Sequence, residues 1–196
     1  MSDYSVISAV SSTLKELLNE NITLSSDSQL NGVQIQLLSP KEMDQAGLTS
    51  GISVWLYKVA RMAEMLNEPP ERRGANQIAR TPLPILLHYL VTPVSTDPLT
   101  KHTLLGRVLQ VFNDHAILRG AILQGTLKGT SEQLRITLEA LTLEEVSLVW
   151  DALSEPYELS VTYLVQVVKI DSDLETVKAS PVVERDITHS QILSVT

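Results

Sequence analysis

Cysteine is absent from the 196 residues, which excludes disulfides, thiol nucleophiles and thiolate metal sites together. No stretch approaches the ~20 consecutive apolar residues of a membrane-spanning helix, so direct membrane insertion is not expected. The opening Met1-Ser2-Asp3-Tyr4 has neither the basic segment nor the apolar stretch of a secretory signal, and assembly in the cytoplasm is the expectation. Positive charge is also short: 15 Lys and Arg stand against 23 Asp and Glu, a net charge of −8. Nonspecific nucleic-acid binding depends on basic side chains displacing condensed counterions, so nucleic acid is not an expected partner. No linker is long enough to separate one core from another, and the 43% hydrophobic share suits one soluble, compact domain.

The signatures of catalysis are missing as well. Gly125-Thr126-Leu127-Lys128-Gly129 carries two glycines and a lysine, but the lysine precedes the second glycine, where a phosphate loop needs it after. Asp171-Ser172-Asp173-Leu174-Glu175 opens like a calcium loop, yet Thr176 occupies the position whose sharp turn demands glycine. His88, His102, His115 and His189 lie on separate elements without metal-ligand spacing. No serine sits in a glycine-flanked elbow, and Glu144-Glu145 reads as a helix start. The expectation is a protein without enzymatic activity, cofactor or metal.

What is present is a clear alternation of elements. Val6, Ile7, Val10, Leu14, Leu17 and Leu18 recur at helical spacing within 4–20. Val33, Ile35 and Leu37 alternate with glutamines as a strand that Ser39-Pro40 stops. Gly51 to Val59 predicts a second strand, with Ile52, Val54 and Leu56 on one face, Trp55 and Tyr57 on the other, and cover on both. Past Lys58 the pattern fits either continued strand or a turn of helix. Leu83, Ile85, Leu87, Tyr89 and Val91 form the cleanest strand of the first half, and its bracketing Pro84 and Pro93 suit an edge or a strand terminus.

Asp97-Pro98 opens a helix whose buried stripe is Leu104, Leu105, Val108, Leu109, Val111 and Phe112, with His115 at its negative end. Residues 117–129 read as short strand or loop, and Leu134, Ile136 and Leu138 as a half-exposed strand. Thr142-Leu143-Glu144-Glu145 has capping-box spacing and starts a short helix whose apolar face is Leu143, Val146, Val149, Trp150 and Leu153. Leu159 to Val167 predicts a central strand of high β-propensity. The fold class is therefore α+β: one domain over 1–170, a mixed, largely antiparallel sheet packed by about three helices, and an extended C-terminal tail over 171–196.

Two segments stand outside this body. The connection from Pro69 to Pro82 exceeds the usual loop length, and its Arg72, Arg73 and Arg80, mixed with Glu68 and Glu71, read first as a solvated arm and second as an intersubunit ion-pair site. Val182, Val183 and Ile187 in the tail are too scattered to form a core, so the tail needs a surface on its own domain or on a neighbour. These six residues are the candidate interface.

Several stretches carry a family resemblance in chain order: the opening helix Ser5 to Leu18, the strand Ile52 to Lys58, Leu83-Pro84-Ile85-Leu86-Leu87-His88-Tyr89-Leu90-Val91-Thr92-Pro93, its continuation Thr103 to Leu118, Leu141 to Trp150, Pro156 to Tyr163, and Ser180-Pro181-Val182-Val183. Together they resemble the tube-terminating cap proteins of extracellular contractile injection systems, the phage-tail-like particles typified by antifeeding and virulence-cassette complexes. The resemblance implies a structural protein that forms a ring, a homohexamer, at the end of the inner tube and contacts the last sheath layer. It also implies tube and sheath proteins as partners, within a particle that is released or anchored. A tail-to-capsid adaptor is the neighbouring alternative, and a small-molecule-binding or hydrolytic α+β domain the alternative from another class.

Overall fold

The computed structural model describes residues 3–63, 77–78, 80–174 and 177–178. Four helices are described: α1 (Val6–Leu18), α2 (Pro40–Gln45), α3 (Pro98–Asp114) and α4 (Leu143–Leu153). The strands are β1 (Ile35–Gln36), β2 (Gly51–Arg61), β3 (Gln77–Ile78), β4 (Leu83–Val94), β5 (Ile117–Arg119), β6 (Gln133–Glu139), β7 (Val161–Ile170) and β8 (Val177–Lys178). Six of them form one sheet in the order β1-β2-β4-β7-β6-β5, parallel only between β1 and β2. The α+β expectation holds, and β7 is central as expected.

Alternation along β4 explains the layering. Ile85, Leu87, Tyr89 and Val91 face a large cluster with α1 and α3, while Leu90 faces a smaller one with Trp150 and Leu153 of α4. Both faces of the strand are therefore buried. Each large aliphatic side chain so enclosed contributes about 1.5–3 kcal/mol. Pro84 and Pro93 sit near the two ends of β4, so the terminus reading of those prolines applies and the edge reading does not. A bulge between Leu56 and Lys58 leaves Tyr57 beside Trp55, ring centroids 6.1 Å apart, on the α4 side. Of the open choice over 61–66, the chain stays extended to Arg61 and turns helical at Ala63, while 64–66 lie outside the described residues.

Polar groups tie the layers together. Ser11 and the Tyr89 hydroxyl lie 2.8 Å apart, and burial pushes that phenol's pKa up to about 12. Buried Thr13 donates to the Ala9 carbonyl at 2.7 Å and accepts from the Gln124 amide at 2.9 Å, fixing the loop after β5 against α1. Thr142 and Glu145 close the expected capping box, and Asp97 caps α3 by accepting from the Thr100 amide at 2.8 Å.

Three expectations need correction. The strand read over 33–37 is only Ile35–Gln36, because Leu38 gives its carbonyl to the Ser53 hydroxyl at 2.6 Å and not to a ladder. Ser39-Pro40 does not merely stop that strand; it opens α2. The Ser39 hydroxyl accepts from the Glu42 amide at 3.2 Å, and the Glu42 carboxylate accepts from the Ser39 amide at 2.8 Å, which holds that carboxyl below its usual range. Leu143, placed on the buried face of α4, is exposed, and only Trp150 and Leu153 of that helix are fully covered.

One close approach holds β1 to the sheet. Gly51 has φ +154°, and a Cβ there would lie 2.7 Å from the Gln34 carbonyl oxygen, which also accepts from the Ile52 amide at 2.8 Å. Gly51→Ala is expected to cost about 2–4 kcal/mol. Gly106, in the middle of α3 with open space around it, gives the opposite sign: Gly106→Ala should gain about 0.5–1 kcal/mol. Thermal unfolding of the two variants reads both, at roughly 2–4 °C per kcal/mol for a chain of this size.

Candidate functional site

β2, β4 and β7 all run to the same end of the sheet, where Arg61 is opposite Ile85 and Leu83 opposite Ile170. The arm and the tail depart from this end. The two segments also pair with each other: β3 runs antiparallel to β8, Gln77 opposite Lys178 and Ile78 opposite Val177. Arm and tail, read from sequence as separate reaching segments, thus share a ladder. Arg80 is exposed just after it. Arg72, Arg73, Val182, Val183 and Ile187 lie outside the described residues.

A second surface opens between the C-terminal half of α3 and β6. Phe112 stacks edge-on against Tyr163 at 4.7 Å, and beside this contact a groove of about 500 Å³ is lined by Leu109, Phe112, Ile136, Leu138 and Tyr163. Leu134 and Ile136 are buried, but Leu138, next in the same alternation, is 52% exposed, since none of the described helices covers the end of β6 on that face. The alternation marks Leu138 as inward-facing, yet nothing local in the sequence says where the covering helix stops. On the opposite face α4 leaves Leu143 and Leu148 exposed at 67% and 64%.

A third depression, of about 330 Å³, lies among α2, the start of α3 and the loop after α4. Four of its charged side chains pair with one another. Lys101 pairs with Glu158 at 2.7 Å, and Lys41 reaches Glu155 at 3.6 Å and the Leu153 carbonyl at 2.9 Å. Ion pairs this open to solvent are worth about 0–1 kcal/mol each, so they serve to position the loop that leads into β7.

The most enclosed ionisable pair is His88 with Glu139, which bridges β4 and β6 across β7. The imidazole Nδ1 lies 3.0 and 3.1 Å from the two carboxylate oxygens, while Nε2 is buried without a partner. Tyr57 stands edge-on to His88 at 6.1 Å, and its phenol is pushed up to about 12, first by burial and then by the negative charges of Glu139 and Glu145. A phenol held that high stays neutral and is a poor proton donor near neutral pH. Among the described residues no group of three or more His, Cys, Asp or Glu is placed to hold a metal ion. None of the described helices is long and apolar enough to cross a membrane.

Residues 9–184 match the family model of the Pvc16 N-terminal domain. This chain belongs to that family. The match takes in nearly every stretch on which the sequence resemblance rested, from within the opening helix to Val183 in the tail. Two solved structures share the fold of this Pvc16 N-terminal domain. One is a PVC sheath/tube terminator in its extended state, from an extracellular contractile injection system, with a TM-score of 0.63 and 18% identity. The other is the tube-terminating cap of the anti-feeding prophage, with a TM-score of 0.59 and 16% identity. The alignments cover 100% and 92% of this chain, and 67% and 60% of those proteins. At such identities the likeness is one of fold. No curated protein matches the sequence.

The His88–Glu139 pair generates a stability prediction. Glu139→Ala leaves a buried imidazole with neither nitrogen partnered and is expected to cost about 1–3 kcal/mol. Glu139→Gln keeps an amide oxygen for Nδ1–H to donate to and should cost clearly less. Urea midpoints near neutral pH, with unchanged slope, would measure the difference. Equal loss in the two variants would contradict the pairing.

Proposed function

We propose that this chain is a non-catalytic cap: a ring-forming subunit that ends the inner tube of a contractile injection particle and contacts the last sheath layer. The observation that carries the reading is the family match over 9–184, joined to a fold shared with a sheath/tube terminator over the whole chain. A terminator works by being different from what it follows. One side of the ring occupies the growing end of the tube, and the other offers no equivalent surface to the next ring. The stoichiometry we propose is six, with tube and sheath proteins as partners. Assembly takes place in the cytoplasm, before any release or anchoring of the particle.

Within this reading, 1–170 is the cap body and 171–196 the tail, and the arm–tail side provides the contacts to other chains. Arg72, Arg73 and Arg80 supply charge, and Val182, Val183 and Ile187 supply apolar anchors. The pairing of β3 with β8 supports treating arm and tail as one contact element. Two variants test the assignment: truncation after Lys178, which spares the ladder, and the combined Arg72→Glu, Arg73→Glu, Arg80→Glu. Both are expected to keep circular dichroism and melting temperature close to the parent, and to lower the fraction of capped particles seen by electron microscopy. Fully capped particles with both variants would remove these six residues from the interface.

A further inference from the structure

We propose that the depression among α2, the start of α3 and the loop after α4 receives the Arg80 side chain of the neighbouring copy, and so forms the receiving half of the contact that joins the ring. The inference rests on the ring reading above, which gives Arg80 to a contact without saying what it meets. The charge balance of the depression is incomplete. Five charged side chains line it, Lys41 and Lys101 against Asp44, Glu155 and Glu158. The pairs Lys41–Glu155 and Lys101–Glu158 leave Asp44 over, and no hydrogen bond or ion pair with a described residue reaches its carboxylate. Thr92 is an independent sign of a missing partner. It is fully buried on β4 and lines the depression, yet its hydroxyl has no hydrogen-bond partner. Buried hydroxyls are almost always paired, so one left open on the wall of a concave site points to a donor that arrives from outside.

An unpaired carboxylate and an unpartnered hydroxyl oxygen together suit a cation rich in donors. A guanidinium carries five N–H groups in a planar fork and no acceptor. At about 330 Å³ the depression is roughly twice the ~150 Å³ cavity that takes a benzene ring, which is room for an arginine side chain.

Arg80 is exposed, and no described residue forms a hydrogen bond or ion pair with it. It stands three residues before Leu83, the first residue of β4, whereas Thr92, Val94 and Thr96 put the depression at the strand's other end. From Leu83 to Thr92 the strand runs about 30 Å, and the three residues back to Arg80 span at most about 10 Å. A subunit's own Arg80 therefore falls short of its own depression, and a neighbour's is needed. Two unlike patches at opposite ends of one strand, both available at once, are what a head-to-tail contact needs in order to close by rotation. Like patches reject each other, since two depressions would set surplus carboxylate against surplus carboxylate, and two Arg80 ends arginine against arginine.

The absence of cysteine makes the test direct. Thr81→Cys and Thr96→Cys put one thiol beside Arg80 and one on the rim of the depression, both at exposed residues, and leave Arg80 and Asp44 in place. Particles carrying both substitutions, treated with a short bismaleimide, are expected to yield a ladder of covalent multimers up to the closed ring, and each single variant only monomer. Adding Arg80→Glu or Asp44→Lys to the pair should lower the multimer yield several-fold. Adding both, which exchanges the two charges, should bring it back. Only monomer from capped particles that carry the double variant would overturn the contact while leaving the cap reading intact, and so would dimers from either single variant. Multimers indifferent to the charge changes, or a loss with Asp44→Lys that Arg80→Glu does not repair, would remove Arg80 from the depression. Failure of the cap reading is seen separately, as unsubstituted chain missing from the particles. Should Thr96→Cys keep the chain out of particles, Thr49→Cys on the same rim takes its place.

Discussion

Tyr89 and Leu90 are adjacent in β4, yet one is enclosed beneath α1 and α3 and the other beneath α4. This two-sided burial of a single strand is the constraint on which the rest depends. Helices must be supplied to both faces of the sheet, and the chain does so with α1 before the strands, α3 directly after β4, and α4 between β6 and β7. Truncating Leu90, which sits against Trp150 and Leu153, removes the contact that attaches α4, at a scale of about 2–5 kcal/mol for a large-to-small change in a core. The same arrangement decides what is left uncovered. The described helices do not cover both sides fully: the end of β6 is open on one face, and α4 leaves Leu143 and Leu148 exposed on the other.

The polar interior follows from the same layering. His88 is on the α4 side of β4, and Glu139 reaches it from β6 across β7. Ser53, on that side of β2, closes the Leu38 carbonyl where the β1 ladder ends. These pairings offset the cost of burial, since an unpaired polar group in a low-dielectric interior costs more than the pair contributes; the His88 Nε2 is the part of this network left without a partner. Their placement serves the joining of layers.

Much of this was legible from the residues. Strict alternation in Leu83 to Val91 and in Leu159 to Val167 located two strands, of which only the second was read as central, and Thr142 with Glu145 located the start of α4 through a pairing that is wholly local. α2 was equally local, with Ser39 and Glu42 at the same spacing and Pro40 in the first turn, but a proline ending an apparent strand drew the reading toward a stop. Leu138 and Leu143 were beyond reach for a different reason. Each belongs to an apolar pattern that continues past the element covering it, and where that cover ends is a property of helix placement several strands away. The candidate interface residues in the arm and tail were chosen for charge and for apolar side chains without a core; the paired strands β3 and β8 connect those two segments, a long-range pairing that neither segment's own sequence encodes.

The role we propose is to end a polymer, and position is therefore the property that matters most. The direct measurement is to attach a gold label to this chain and locate it on purified particles by electron microscopy. The account expects label at one end only, on the tube terminus beside the last sheath layer. Label spread along the shaft, or none on intact particles, would contradict it.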